Sequence, residues 1–485
     1  MDKSIFCAWA DNGLPNVLIR KQWTEHEKLA YPIIQLPMAI TEGGGTSSFF
    51  KNRLLWIGFL IAAILDVWHG LAHFFPVLPD FSVRHNAPGR NLGRFFTEKP
   101  WNAIGWVPVP LYPFVIGLGF LLPLDLSFSI WFFYIFRKLQ FVFGSAMGIR
   151  SLPGFPYQFD QAIGAWIALF LAALWVTRRH LVHVFKKVLG LQSPIDDSDE
   201  PIRYRTAVIL IVLAGAFVLF WCIKAGMTVK IIAFYFGFYF ALSFAITRSR
   251  AELGPPAHEM AFATNAPSLM INVLGTRGVG ARNLTVFPYM WGISGRGYRE
   301  HIMPHQLEGF KMAEIAKMSR KKLVHVMVIA VVIGTLASFW AIVSELYRVE
   351  DGAGGPAIGH IRGQFTWLAN RIAYPRDPDI PAIGFTIGGA LFTFFLMAMR
   401  MRFIWWPFHP AGYALSMPFG VEYFWTCLII SSIVKWATLK YGGISTHRKA
   451  KYFFFGVILG EYCVGAFWSA MSVILGAPIY DFAPG

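Results

Sequence analysis

Three ionisable side chains lie on one face of the first apolar run of the sequence. Asp66, His69 and His73 are spaced i, i+3 and i+7, which places them on the same side of a helix. Two imidazoles and a carboxylate in this pattern can bind a transition metal or relay protons, because histidine titrates near neutral pH. The alternative is a position at the membrane interface, where water satisfies all three groups.

Two further acidic residues lie within apolar sequence. Asp125 follows Pro123 in an interrupted apolar stretch, and Glu461 follows Gly460 in the last apolar run. A charge at the centre of a membrane-spanning helix costs about 2.5–3.5 kcal/mol, so such residues need a functional or structural reason. Proline-broken helices in carriers supply ion and substrate ligands at mid-membrane depth. We predict a substrate or ion pathway through Asp66, His69, His73, Asp125 and Glu461.

A second set of candidates lies in the long segment 247–322. Glu252, His258 and Glu259 lie near Gly254-Pro255-Pro256, and His301, His305 and Glu308 follow at helical spacing. The spacing of His301 and His305 is that of a metal site. However, Ile302 stands where a metalloprotease carries its glutamate, and a proline favours the first turn of a helix. We expect these residues to cap helices or to contact lipid headgroups or neighbouring loops.

Other charged groups are expected to be solvated. Glu422 and Lys435 lie nearer the ends of apolar runs, so their charged groups can reach the interface. The acidic patch 196–200 is typical of a solvated loop. The four cysteines show neither CxxC spacing nor a zinc motif. We therefore predict no bound metal and no cofactor.

Composition indicates what must position these residues. The chain has 485 residues, of which 55% are hydrophobic and only 14% charged, and its mean hydropathy is +0.49. Soluble domains carry about 25% charged residues, so a soluble enzyme is excluded. Runs near 20 apolar residues predict an all-α polytopic transmembrane helix bundle. Eight full spans are expected over residues 54–75, 162–182, 207–223, 227–246, 323–343, 383–401, 419–439 and 453–475.

Two apolar stretches are interrupted by proline. Residues 107–143 contain Pro113 and Pro123, and we expect two half-helices that meet near Pro123 and Asp125. Residues 403–418 contain three prolines. Basic residues precede this stretch and also follow the apolar run 419–439, so both flanking loops are expected on the cytoplasmic side. An even number of crossings must then join them, so we predict that residues 403–418 are embedded in the membrane. The total is then about 9 to 11 crossings, including broken or re-entrant helices.

The distribution of charge predicts topology and organisation. Lys and Arg number 43 against 27 Asp and Glu, and the formal +16 charge lies between apolar runs, which indicates membrane orientation rather than nucleic-acid binding. The prediction is a multi-pass protein of the inner (plasma) membrane, in contact with its lipids, with an extracytoplasmic C-terminus. The expected segments are 1–53 on the cytoplasmic side, 54–246 as a first helix group, 247–322 as a basic cytoplasmic or partly re-entrant segment, and 323–485 as a second helix group.

Three short patches resemble the oligopeptide transporter (OPT) superfamily, and the first of them looks closer still to an uncharacterised bacterial family of polytopic membrane proteins. Residues 18–32 (LIRKQWTEHEKLAYP) are similar to its cytoplasmic Arg-Glu-Pro segment, residues 115–127 to its glycine-rich helix, and residues 456–461 with Trp468 to its late G-x-x-x-G-(D/E) helix. The resemblance implies a transporter of a peptide or a small polar or metal-chelating solute. Members of the superfamily carry further helices before the Arg-Glu-Pro segment, so the resemblance implies a displaced start, a partner chain that supplies those helices, or a reduced domain.

Three functions remain open at this stage. The interrupted helices and buried acids favour a secondary active transporter driven by protons, rather than an enzyme. An intramembrane enzyme would use a metal bound by one of the two histidine-containing sets. A non-catalytic membrane subunit would assemble with a partner chain or as a homo-oligomer.

Overall fold

The computed structural model of the protein describes residues 13–42, 48–75, 77–79, 84–85, 89–149, 151–255, 261, 264–291, 301–348 and 356–476, and these contain helices and no strand. Residues 13–21 are helical. The α-helices that follow are α1 (Gln35–Thr41), α2 (Arg53–Phe74), α3 (Pro113–Leu121), α4 (Leu124–Ala146), α5 (Gln158–Val188), α6 (Tyr204–Lys224), α7 (Val229–Leu253), α8 (Ala266–Val279), α9 (Ala281–Leu284), α10 (Ile302–Ile315), α11 (Arg320–Arg348), α12 (Pro356–Ala373), α13 (Ile380–Arg402), α14 (Pro410–Ser416) and α15 (Trp425–Leu475).

Eight helices in the described part of the chain are long and apolar enough to cross a membrane, namely α2, α4, α5, α6, α7, α11, α13 and α15. This confirms the predicted all-α membrane fold. The last helix, α15, has 51 residues, and Gly443 interrupts it with a non-helical backbone (φ 67°, ψ −173°). At 1.5 Å per residue, its length suffices for two crossings. The two final runs expected from the sequence therefore form one helix with a break.

The helices group into two compact units, neither of which is continuous in sequence. The first unit comprises Met1–Ala30, Trp166–Glu252 and Ala261–Ala390. The second unit comprises Tyr31–Ala165, Leu253–Met260 and Leu391–Gly485. One apolar core cluster of the first unit is centred on Val17, Val184 and Tyr204. A corresponding cluster of the second unit contains Leu55 and Phe455, which bring α2 against α15.

The first interrupted stretch breaks where proline predicts it, but its second part differs from the expectation. The nine-residue helix α3 ends at Leu121, and Pro123 is the N-cap of α4. Helix α4 has 23 residues and is a full-length helix, so the prediction of two half-helices is wrong for its second member. Proline ends a helix at the residue before it, yet its fixed φ also suits a helix start.

The second interrupted stretch contains only a short helix. Helix α14 has seven residues, all buried. Its length is about 10 Å, a third of the hydrocarbon thickness of a membrane, so α14 does not cross a bilayer by itself. Non-helical backbone at membrane depth is tolerated where protein covers it, and the burial of α14 meets that condition.

Two other helices bear on the sequence predictions. Helix α10 contains Pro304 in its first turn, where proline is favoured. Helix α12 lies between the spans predicted over residues 323–343 and 383–401, where the sequence predicts no apolar span. The amphipathic sequence of α12 lacks a run of 18 apolar residues, so hydropathy alone did not identify it.

Helices α2 and α15 cross at glycines. An added Cβ at Gly456 would overlap the backbone carbonyl of Leu55, and one at Gly460 would overlap that of Phe59. Conversely, a Cβ at Gly58 would overlap the carbonyl of Phe453. Small residues at such crossings let two backbones approach closely, as in membrane helix pairs of the G-x-x-x-G type. This close approach sets the position of Glu461 relative to α2.

The substitution Gly456→Val tests the glycine crossing. The added side chain would meet backbone atoms of Leu55 and Phe59, which cannot move aside independently of α2, so we expect a loss of about 1–3 kcal/mol in stability. Thermal unfolding in detergent measures it. The control is Gly388→Val, because a Cβ at Gly388 meets nothing within 4 Å. Equal unfolding temperatures for the two variants would contradict the crossing.

Candidate functional site

The short helix α3 receives a carboxylate at its N-terminus. The backbone N–H of Phe114, the second residue of α3, donates a hydrogen bond to Oε2 of Glu461 on α15. Glu461 is fully buried. The free N–H groups at a helix N-terminus carry partial positive charge and stabilise an anion. The fold therefore gives the Glu461 carboxylate one favourable partner inside the second unit.

A second carboxyl group accompanies Glu461. Asp66 of α2 is also fully buried and lies close enough to Glu461 for the two charges to repel each other. The other oxygen of Glu461, Oε1, is buried and has no hydrogen-bond partner among the described residues. Two neighbouring buried carboxyl groups cannot both be ionised without a large cost.

The opposite end of α3 receives an ammonium group. Nζ of Lys435, from the first half of α15, donates to the carbonyl oxygen of Leu122 at 2.5 Å, and Leu122 is the C-cap of α3. A cation is stabilised by the unpaired carbonyl groups at a helix C-terminus. Lys435 is buried, so the expectation that it extends to the interface is wrong. Helix α3 thus lies between a carboxylate and an ammonium group that both come from α15.

Serine hydroxyl groups extend this polar region beside the junction of α3 and α4. Ser432 Oγ donates to Ser127 Oγ at 2.9 Å, and both side chains are buried. Gly119 of α3 packs directly against Ser431. Ser431, Ser432 and Lys435 lie within about one helical turn of each other on α15, and Ser127 lies on α4. The polar face of α15 is therefore directed at the point where α3 ends and α4 begins.

Asp125 forms an ion pair and is partly exposed. It lies in the first turn of α4, where an acidic residue is favourable, and its side chain is 32% exposed. Its carboxylate forms an ion pair of 2.6 Å with Arg400 at the end of α13. Nearby, Ser129 Oγ accepts a hydrogen bond from the backbone N–H of His409 at 2.7 Å. Asp125 therefore has a cationic partner, whereas Glu461 has none among the described residues.

The largest buried charge cluster of the second unit was not predicted. Arg137 and Lys138 lie in the middle of α4, and both pair with Oε1 of Glu422, at 2.6 Å and 2.9 Å. Tyr134 OH donates to the other oxygen of Glu422 at 2.6 Å. Arg137 also donates to the carbonyl oxygens of Met417 and Pro418, at 2.8 Å each. Glu422 is thus buried rather than interfacial, contrary to expectation.

This cluster fixes the segment that follows α14. Met417 and Pro418 follow α14, and Glu422 lies in the 3₁₀ turn Phe419–Tyr423. Because one guanidinium group binds two carbonyl oxygens and a carboxylate, it holds the turn in a single position relative to α4. The sequence shows two adjacent basic residues, Arg137 and Lys138, inside an apolar run, where burial of a charge is costly. It does not show that Glu422 is the carboxylate that pairs with them.

The first unit contains a comparable buried ion pair. Arg20 binds Glu200 through two hydrogen bonds of 2.8 Å, and it also pairs with Glu25 at 2.9 Å. Burial lowers the pKa of Arg20, but the hydrogen bonds and charges of Glu200 and Glu25 outweigh burial and raise it. Tyr204 OH donates to Glu200 as well, at 3.3 Å. Glu200 is therefore buried, and the expectation of a fully solvated acidic patch is wrong.

The candidates of the segment 247–322 form separate ion pairs. Glu308 pairs with Arg250 at 2.6 Å, and His305 Nδ1 lies 3.8 Å from Glu308. Glu252 pairs with Arg248 at 3.0 Å. His301 precedes α10 and is buried, and burial together with His305 lowers its pKa to about 3. His258 and Glu259 lie outside the described residues. The pair Arg250–Glu308 joins α7 to α10, and the pair Arg248–Glu252 lies within α7, so both are structural contacts.

The two remaining candidates on α2 are more exposed than Asp66. His69 is half-buried and His73 is exposed, whereas Asp66 is buried. Among the residues that the structure describes, no group of three or more His, Cys, Asp or Glu side chains is arranged to hold a metal ion. The metal-dependent enzyme considered above therefore has no ligand set within the described ranges.

Removing the carboxylate of the buried cluster should destabilise the protein strongly. Glu422→Leu leaves Arg137 and Lys138 buried without their counter-ion, and breaking a buried ion pair costs about 3–5 kcal/mol. The double variant Arg137→Met/Glu422→Leu should lose less than the sum of the single variants, because it also removes one unpaired charge. Thermal unfolding of the four proteins measures the coupling. Additive losses would contradict a direct interaction.

Acid should destabilise the protein through His409. Its Nδ1 accepts the backbone N–H of Ala411 at 3.1 Å as the N-cap of α14, and burial together with Arg400 lowers its pKa to about 3. The unfolded chain binds the proton near pH 6.5, so stability is lost as the pH falls below that value. Between pH 7.5 and 5.0 the loss is about 2 kcal/mol.

The matched variant is His409→Asn, which keeps a capping side chain but does not titrate. Unfolding temperatures at the two pH values should differ less for His409→Asn than for the unsubstituted protein. The same pH dependence in both would contradict this role for His409.

Comparison with known proteins gives a family but not an activity. A search of curated proteins finds no match to the chain. One family model matches residues 5–484, which is nearly the whole sequence and includes every helix described above. The chain therefore belongs to the family described as "Family of unknown function (DUF6785)".

Proposed function

We propose that the protein is a secondary active transporter of a small polar solute, coupled to protons. The observation that carries the proposal is the short helix α3, whose two ends bind buried groups of opposite charge. In carriers with discontinuous helices, the free N–H and C=O groups at such ends bind substrates and coupling ions near the middle of the membrane.

The carboxyl pair supplies the coupling step of this proposal. A proton shared by Asp66 and Glu461 neutralises one of two repelling charges, and its release restores the repulsion across the crossing of α2 and α15. The protonation state thus changes the force between two helices that pack at their glycines. Intramembrane acids of this kind are typical of proton relays in transporters.

The charges at α3 also bear on the substrate class. A solute with both an amino group and a carboxylate would find a carboxylate near one end of α3 and an ammonium group near the other. Peptides and amino-acid-like metal chelators have this character. The resemblance of residues 18–32 and 456–461 to the OPT superfamily points to the same class of solutes.

Proton entry into proteoliposomes tests the proposal. The protein is reconstituted with a pH-sensitive dye trapped inside, the outside is made acidic, and dialanine, trialanine or ferric glycinate is added. We expect at least one of these solutes to accelerate acidification of the interior. Glu461→Gln should reduce the rate to that of protein-free liposomes, because the shared proton can no longer be exchanged.

The control for this experiment is Glu98→Gln, which removes an exposed carboxylate from the same unit. It should transport at the original rate. Solute-dependent acidification that persists in Glu461→Gln would contradict the coupling role. A reconstituted protein that responds to none of the three solutes would contradict the substrate class.

A further inference from the structure

A basic cavity lies in the first unit, at the turn between two helices. Helix α10 ends at Ile315, and α11 begins at Arg320. The cavity has a volume of about 360 Å³, and three of its lining residues are Lys317, Arg320 and Lys321. Three cations that share one concave surface attract an anion more strongly than isolated surface lysines do.

The acidic residues at the cavity leave two of these cations available. Oε1 of Glu314 already binds Lys311 at 2.8 Å, and its other oxygen is buried without a hydrogen-bond partner among the described residues. Asp199 also lines the cavity, and its backbone carbonyl accepts a hydrogen bond from Arg320 at 3.3 Å. Arg320 also lies 3.9 Å from Glu25. Lys317 and Lys321 are exposed, and within the described ranges neither has a carboxylate within 4.0 Å. Two ammonium groups are therefore free to bind an anion.

The cavity lies where a membrane-spanning segment begins. The apolar window of α11 has no buried residue within the protein, so this helix presents its apolar surface to lipid. Its first residues, Arg320 and Lys321, line the cavity and must lie at the level of the lipid headgroups. Basic pockets in this position bind the phosphate groups of anionic lipids.

We propose that the cavity formed by Lys317, Arg320 and Lys321 is a binding site for a phosphate group, and that an anionic phospholipid headgroup supplies it. The Ser319 hydroxyl lines the same cavity and can donate to a phosphate oxygen. The first backbone N–H groups of α11 carry partial positive charge and favour the same anion. The residues of this cavity belong to the first unit, whereas α3 belongs to the second unit.

Lipid titration of the purified, full-length protein tests this site. Phosphatidylglycerol is added to the protein in mixed micelles with phosphatidylcholine, and the unfolding temperature is recorded. The variant Lys317→Gln/Lys321→Gln removes two charges from the cavity. The control Lys440→Gln/Lys449→Gln removes two charges from exposed lysines outside it. A parallel series replaces phosphatidylglycerol with inorganic phosphate.

We expect phosphatidylglycerol to raise the unfolding temperature of the unsubstituted protein and of the control, and to raise that of the cavity variant by less than half as much. If phosphate has no effect, the lipid headgroup is the ligand. If phosphate alone gives the same variant-dependent shift, the site binds free phosphate. An equal shift by phosphatidylglycerol in the cavity variant and the control, with none specific to phosphate, would overturn the proposal.

Discussion

Helix α3 must have both of its ends satisfied inside protein, and much of the second unit follows from this constraint. A nine-residue helix leaves unpaired N–H groups at one end and unpaired C=O groups at the other, and in a membrane no water is present to bind them. The chain meets this need with Glu461 and Lys435, both carried by α15. Each charge satisfies backbone groups of α3, and the partial charges of α3 in turn reduce the cost of burying each charged side chain.

Two different uses of buried charge coexist in the second unit. Glu422 is paired with Arg137 and Lys138 and also accepts a hydrogen bond from Tyr134, so the carboxylate is fully engaged. Glu461 has one donor on one oxygen, and its other oxygen is buried without a hydrogen-bond partner among the described residues. Fully engaged networks fix a structure, whereas incompletely engaged acids are free to exchange protons. This difference explains why we assign the coupling role to Glu461 and a positioning role to Glu422.

The sequence predicts the helices well because hydropathy and proline act locally. Each of the eight apolar runs lies within or largely overlaps a long helix, and Pro123 marks the break between α3 and α4. Buried ion pairs are different, because their partners are far apart in sequence. Arg137 and Glu422 are separated by 285 positions, and Arg20 and Glu200 by 180. A single sequence reveals the cost of burying such a charge, but only the folded chain reveals what offsets that cost.

The break at Gly443 divides α15 into two arms, and each arm carries one of the groups that hold α3. Lys435 precedes the break and Glu461 follows it. Gly443 has a φ of 67°, a conformation that a residue with a side chain adopts only under strain. A change of the angle between the arms would alter the contacts at both ends of α3 at once. The bend of α15 at Gly443 therefore determines how far apart the two side chains lie that bind the ends of the short helix.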